Sequence, residues 1–356
     1  MRIHLVGGFL GAGKTTAIIQ AARALMAQGV KVGVVTNDKG KHLVDTAFFR
    51  SASLPTAEVA GGCFRCNFDE LEKRINQLKA ESRPEVIFAE SVGSCADMAA
   101  TVLEPLLRLQ DGHEDPTSFS VFVDARLLRM WLRDVELPFS DEVQYIFEKQ
   151  IEEAGLLVIN KMDLLSPADL QEVEQLAAAR FPDKDLLLQD STRRDGGQGW
   201  LDWLSRATGR PVLPATEIDY DRYDAGGRQL AWLDEQITIW ANDAITAAGG
   251  MIAFLVNALR EEQIPVGHLK FFLDWEGGDC KLSFPTLEES GWQSQLDGAV
   301  TGKVEMLVNG RIQAAPAKLN RMVASALEVM AKQPSVLYER EENAYFRPRI
   351  LRRREI

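Results

Sequence analysis

The sequence predicts an α/β protein, a parallel sheet with helices on both faces, followed by a smaller α+β domain. Three observations predict it. Short apolar strands alternate with helical or loop segments over the first 210 residues, a glycine-rich turn joins the first strand to the first helix, and the pattern changes after a Pro- and Asp-rich stretch.

Residues 2–6 read as a short buried strand. Residues 14–28 place Ile18, Ile19, Ala22, Leu25 and Met26 near helical spacing, and Gly29 stops that helix. Residues 31–36, rich in Val, form the next strand, and 85–89, 118–123, 156–159 and 186–189 follow as further ones. Past Arg210 come Pro211, Pro214, the acidic run 219–224 and Gly226-Gly227, which is linker chemistry. The expected organisation is a first domain over 1–210, a linker over 211–227, a small α+β domain over 228–335 and a basic tail over 336–356. Within the small domain, 230–240, 266–275, 280–284 and 303–308 read as strands. A long helix over 241–262, interrupted at Gly249-Gly250, and a closing helix over 316–332 complete it, in a ferredoxin-like spirit.

A hydrophobic content of 46% over 356 residues supports well-filled cores in two domains. The net charge of −12 argues against a nucleic-acid or membrane-surface binder. The apolar start of the chain is broken by Gly7, Gly8 and Gly11, so it is no signal peptide, and no segment reaches the roughly 20 apolar residues of a membrane span. Cys63, Cys66, Cys95 and Cys280 are too few for a disulfide framework. The expected location is cytoplasmic.

Gly8 to Thr15 fits G-x-x-x-x-G-K-[ST] in full, which makes the first domain a P-loop NTPase type. Gly8, Gly11 and Gly13, with Ala12, let the backbone curl so that its N–H groups point at phosphate oxygens. Lys14 bridges the terminal phosphates, Thr15 offers its hydroxyl to Mg²⁺, Thr16 follows, and the helix N-terminus adds its positive end. Asn160-Lys161-Met162-Asp163 lies after a strand. There Asp163 can accept two hydrogen bonds from guanine N1–H and its amino group, a pair that adenine lacks. Asn160 and Lys161 brace the loop and cover the base, and Ser191-Thr192 supplies a further loop beside it.

Asp38 and Glu90 stand at strand ends, where ligands of parallel sheets bind. A carboxylate there holds Mg²⁺ or orients the attacking water, and Gly93 can offer a backbone N–H to a γ-phosphate. Lys14, Glu90 and Asp38 are the catalytic candidates, and Thr15, Asp38 and Glu90 the magnesium candidates. Cys63-Phe64-Arg65-Cys66 places two thiols at a spacing that ligates Zn²⁺, Co²⁺ or Ni²⁺. Two ligands do not close a site; Cys95, Asp69, a second subunit or a partner would complete it, and packed thiols or a redox pair are the other readings. His4 reads as a core residue, His113 as part of an acidic surface loop over 111–115, and His268 and the tryptophans as packing.

Together these motifs resemble the CobW-like GTPases, relatives of the UreG and HypB nickel-insertion GTPases. The resemblance rests on the run 7–16, on Asn37-Asp38, Gly61-Gly62-Cys63-x-x-Cys66, Glu90-x-x-Gly93, Val123-Asp124-Ala125 and Asn160-Lys161-Met162-Asp163-Leu164, in the family's order over roughly residues 1–210. It implies GTP and Mg²⁺ as cofactors, and a metallochaperone or metalloenzyme maturation factor with a nucleotide-dependent switch and a client metalloprotein. Two departures stand out. The family's G-C-x-C-C has Arg65 where its middle cysteine belongs, and its Asn-Glu is Asn37-Asp38. The alternative is a GTP-driven assembly or reactivation factor for a cofactor-containing partner, such as a corrinoid enzyme, that carries no metal itself. Arg193 and Arg194 can act across a homodimer or simply be solvated.

Overall fold

The structure, a computed structural model, describes residues 1–38, 44–60, 62–109, 117–206, 216–285, 287, 291–296, 298 and 300–347. The acidic loop with His113, and the basic end of the chain beyond Arg347, lie outside the described residues.

In chain order the first elements are β1 (Arg2–Gly8), α1 (Lys14–Ala27), β2 (Val32–Asp38), α2 (Val44–Ser51), β3 (Thr56–Ala60), α3 (Phe68–Glu81) and β4 (Val86–Glu90). A π-helical turn (Ala99–Leu103) leads into α4 (Glu104–Leu109), β5 (Thr117–Asp124), α5 (Ala125–Leu132) and α6 (Asp141–Glu152). Then come β6 (Leu156–Asn160), α7 (Pro167–Arg180), β7 (Asp185–Gln189), α8 (Gln198–Arg206) and α9 (Tyr220–Gln229).

The seven strands form one parallel sheet in the order β3-β2-β4-β1-β5-β6-β7. β4 and β6 are buried along their whole length, and β1 and β5 at all but their first residues. That is why they read as apolar runs rather than alternating patterns. β1 sits mid-sheet between β4 and β5, where the direction of chain progression reverses, so its carboxyl end opens at the switch point. Gly8, Asp38, Glu90, Asp124, Asn160 and Gln189 all end strands at that edge, and the register sets Asp124 beside Asn160 and Asn160 beside Gln189. His4 is a neutral core residue. Its Nδ1 lies 2.8 Å from the Ser118 hydroxyl, and burial, then the Arg2 charge, lowers its pKa to about 3.

β3 was not expected. Thr56-Ala57-Glu58-Val59-Ala60 has too little apolar content to stand out, and it becomes a strand by pairing with β2 at the sheet edge. The acidic run 219–224, expected as linker, is the start of α9. Asp219 accepts hydrogen bonds from the N–H groups of Asp221 and Arg222, so the acids cap a helix N-terminus.

The remaining elements are β8 (Ala231–Ala241), α10 (Ala244–Glu261), β9 (Val266–Trp275), β10 (Gly278–Phe284), β11 (Gly302–Ile312), α11 (Pro316–Ala331) and β12 (Leu337–Phe346). They make an antiparallel sheet in the order β10-β9-β11-β8-β12. β12 occupies residues expected as basic tail. Leu269, Phe271, Leu273, Val304, Met306 and Val308 face α10 and α11 across a continuous apolar core. α10 runs unbroken through Gly249-Gly250, and those glycines admit close neighbours, since a Cβ at either would lie 3.2 Å from the Leu296 or Gln333 side chain. Asp243 caps it by accepting the Thr246 N–H at 3.1 Å.

The chain divides into two compact units, and α2 belongs to the second although it lies between β2 and β3. Asp45 of α2 pairs with Lys270 at 2.5 Å and Lys281 at 2.9 Å, and the Val44 N–H donates to Asn309 at 2.9 Å. Lys270 and Asn309 alternate with the core residues of their strands, so α2 covers the sheet face opposite α10 and α11.

Candidate nucleotide site and cysteine loop

The loop after β1 has the backbone that a phosphate cradle requires. Gly8 has φ of 124° and a Cβ there would lie 2.1 Å from the Phe122 carbonyl oxygen; Gly13 has φ of 91° and a Cβ there would lie 2.3 Å from Asn160 Nδ2. Only glycine fits either place. Phe9 anchors the loop edge-on against Phe139 and Phe147. Lys14 and Thr15 open α1 and are buried. Lys14 Nζ donates to the Gly8 carbonyl at 2.8 Å, so its charge lies along the loop that would wrap the phosphates. Thr15 Oγ1 donates to Glu90 Oε1 at 3.0 Å. This hydroxyl and carboxylate are hard oxygen donors suited to Mg²⁺. Asp38 ends the neighbouring β2, and its side chain lies outside what the structure describes.

Asn160 joins the two ends of the site. Its Nδ2 donates to the Ala12 carbonyl at 2.8 Å, and its Oδ1 accepts from the Ser191 hydroxyl at 2.8 Å and the Ser191 N–H at 3.2 Å. Lys161, at a left-handed φ of 63°, points its ammonium at Asp124, 3.2 Å away. Asp124 is buried. Burial alone would raise its pKa, but hydrogen bonds from Arg126 and the Lys161 and Arg126 charges hold it below the ordinary value. Asp163 is exposed in the short turn Met162–Leu164, its pKa raised by partial burial and the neighbouring Asp190 carboxylate. Thr16 is half-buried in the first turn of α1. Arg193 and Arg194 are exposed, with Arg193 paired to Asp195.

The cysteine loop leads from β3 into α3. Cys63 and Cys66 place their sulfurs 2.6 Å apart, and the Cys63 carbonyl accepts the N–H groups of Cys66 and Asn67. Arg65 lies between them in sequence with its guanidinium carbon 5.1 Å from the Tyr223 ring centroid and 5.4 Å from that of Tyr220. Burial would lower the Arg65 pKa, but the Tyr223 phenol and the thiols of Cys95, Cys63 and Cys66 around it keep it above the ordinary value. Among the described residues, no group of three or more His, Cys, Asp or Glu side chains is arranged to hold a metal. Cys95 and Asp69 do not complete the pair. The loop as it stands suits a guanidinium and two thiols, not a closed tetrahedral metal site.

The segment after Glu90 is held from α6 and α9, by residues that no motif announced. Gln150 donates to the Gly93 and Cys95 carbonyls at 3.1 and 2.7 Å. Tyr223 donates to the Ser94 carbonyl at 2.9 Å, and Glu153 accepts the N–H groups of Met98 and Ala99 at 2.6 and 3.2 Å. A Gln or Glu on an amphipathic helix carries no sequence signal of such a role, and Tyr223 lay in the presumed linker. Gly93 abuts the phosphate loop, since a Cβ there would lie 2.7 Å from the Leu10 side chain.

Burial first, with Asp97 adding, pushes the Glu153 pKa from 4.5 up to about 8, against the backbone N–H bonds. Between those two values the folded chain binds a proton that the unfolded chain lacks. The group's contribution to stability is therefore present at low pH and lost as pH rises through about 8. Glu153→Gln, which stays neutral, is expected to be more stable than the parent above that pH by about 2–4 kcal/mol, and indistinguishable near pH 5. Urea denaturation at the two pH values checks this, and an equal difference at both would refute it.

The nucleotide-binding domain model of the CobW/HypB/UreG family matches residues 2–187. The zinc chaperone YeiR of Escherichia coli (strain K12) is 26% identical over 202 residues, 55% of this chain and 57% of that protein. The zinc chaperone CobW of a Sinorhizobium species is 25% identical over 216 residues, 52% of this chain and 57% of that one. Urease accessory protein UreG 2 of Bradyrhizobium sp. is 27% identical over 210 residues, 56% of this chain and 88% of that one. The similarity thus spans little more than half the length of the two zinc chaperones. No helix among the described residues is long and apolar enough to cross a membrane. With a glycine cradle after β1, the Asn160 brace across the sheet edge, and a family match over more than half of its length, the chain belongs to the CobW/HypB/UreG family and carries its nucleotide-binding domain.

Proposed function

We propose that this protein binds and hydrolyses GTP and uses the cycle to mature a metal-containing client protein. The observation that carries the reading is Asn160. One side chain ties the phosphate loop at Ala12 to the base-side loop at Ser191, on the edge where Thr15 meets Glu90. In this reading Lys14 neutralises the terminal phosphates, and the N–H groups of the loop and of Gly93 receive their oxygens. Asp163 selects guanine. Thr15, Glu90 and Asp38 would hold Mg²⁺, which would supply charge neutralisation to the phosphates, and Glu90 and Asp38 would orient the attacking water.

A second reading, in which the protein acts on its client without carrying metal itself, is favoured by Arg65 among the thiols. Phosphate release from GTP, with ATP as competitor, tests the main reading. Lys14→Ala is expected to lower kcat/KM by about 10³-fold. Phosphate release at background level from the parent protein, alone and with a metalloenzyme client, would sink it. Metal titration of the parent protein separates the two readings of cargo.

A further inference from the structure

The cysteine loop is fastened on both sides to segments at the nucleotide edge. On one side stands Asn37, the residue before Asp38. Its Nδ2 donates to the carbonyls of Val59 and Gly62, and its Oδ1 accepts the Phe64 N–H at 3.0 Å. On the other side stands Arg65, within cation–π reach of Tyr220 and Tyr223. Those two tyrosines hold the segment that follows Glu90. The Tyr223 hydroxyl donates to the Ser94 carbonyl and accepts the Ala96 N–H at 3.2 Å, and the Tyr220 hydroxyl donates to the Asp97 carboxylate. With Gln150 on Gly93 and Cys95, and Glu153 on Met98 and Ala99, each residue from Gly93 to Ala99 has a partner on α6, just past its end, or on α9.

We propose that Arg65 is a positioning residue for hydrolysis: its guanidinium, packed on Tyr220 and Tyr223, sets the placement of the segment 93–99 against the phosphate loop and so links the cysteine loop to the hydrolytic step. The inference rests on the GTPase reading above for its kinetic part. A planar cation has two uses in this place. It stacks on two rings at once, which an ammonium does not do, and its charge faces Glu153 and the thiols of Cys63, Cys66 and Cys95. Movement of Arg65 moves the rings, the rings carry the Ser94 carbonyl and the Ala96 N–H, and Gly93 at the head of the segment lies against Leu10. A residue in that position affects the rate of the chemical step without touching the nucleotide.

The test uses the full chain with Arg65→Ala, Arg65→Lys and Tyr223→Phe. Each variant is read by GTP turnover, by affinity for a non-hydrolysable GTP analogue, and by amide hydrogen exchange. The expected result is a fall in kcat of about tenfold in all three, with analogue affinity unchanged. Lys does not restore the rate, whereas free guanidinium ion restores part of it to Arg65→Ala. Exchange at Ala96, whose N–H bonds Tyr223 directly, is expected to quicken, while the amides of β6 stay protected and report an intact fold. Parental kcat together with parental exchange at Ala96 in Arg65→Ala and Tyr223→Phe overturns the proposal. So does full activity in Arg65→Lys. If the parent protein itself releases no phosphate, the GTPase reading fails, and exchange at Ala96 still decides whether Arg65 controls the segment.

Discussion

Asp163→Ala is expected to reduce the preference for GTP over ATP by about 10²–10⁴-fold, mainly through loss of GTP affinity. In the proposed reading the carboxylate accepts two hydrogen bonds from the guanine edge, each assisted by its charge. Bonds of that kind contribute about 1.5–3 kcal/mol apiece, and their loss leaves the base donors unpaired. ATP never had these bonds and is expected to bind as before or better. The fold is not at stake, because Asp163 is exposed in a three-residue turn and the scaffold around it is held by Asn160, Ser191 and Asp124. Partial burial and Asp190 raise the Asp163 pKa. A proton on this carboxyl removes an acceptor. Guanine preference is therefore expected to be full at neutral pH and to fade on acidification, at a higher pH than an ordinary carboxylate would give. Competition between labelled GTP and ATP across pH measures both effects. A preference unchanged by Asp163→Ala would mean that another group reads the base.

Arg65→Cys is expected to raise zinc affinity by about 10²-fold or more. The parent loop offers Zn²⁺ two thiols and a cation. A guanidinium among the sulfurs repels the metal and occupies the place of a third donor. The substitution removes the repulsion and adds a thiolate in one step. Arg65→Ala separates the two contributions, since it removes the cation alone and is expected to gain far less. Titration against a chromophoric zinc chelator reads the difference. Equal affinity in the parent and in Arg65→Cys would show that the guanidinium does not govern this loop.

The sequence carried the candidate nucleotide site because that site is local. A glycine cradle, its Lys14-Thr15 continuation and the Asn160 to Asp163 loop each occupy a few consecutive residues, and each follows a buried strand. Parallel topology then places all strand ends at one edge, so the residues need no further information to converge. The alternation of buried strands with helices was legible for the same reason. β3 was not, since its residues are only a strand once β2 lies beside them. The run 219–224 was misread as linker because acids before a helix and acids in a loop look alike without the partner they cap.

By itself, then, the amino-acid order determined the glycine turn after β1, the Asn160 to Asp163 loop after β6 and the parallel sheet, all features set by backbone geometry and spacing. Tertiary structure alone decided three things. It gave α2 to the second sheet through Asp45, Lys270 and Lys281; it brought two rings and the Cys95 thiol to Arg65; and it fixed the segment 93–99 from α6 and α9. Each is a contact between residues tens to hundreds of positions apart, made by ordinary Lys, Arg, Gln and Tyr side chains. Their role comes from burial and neighbours, which no local pattern encodes.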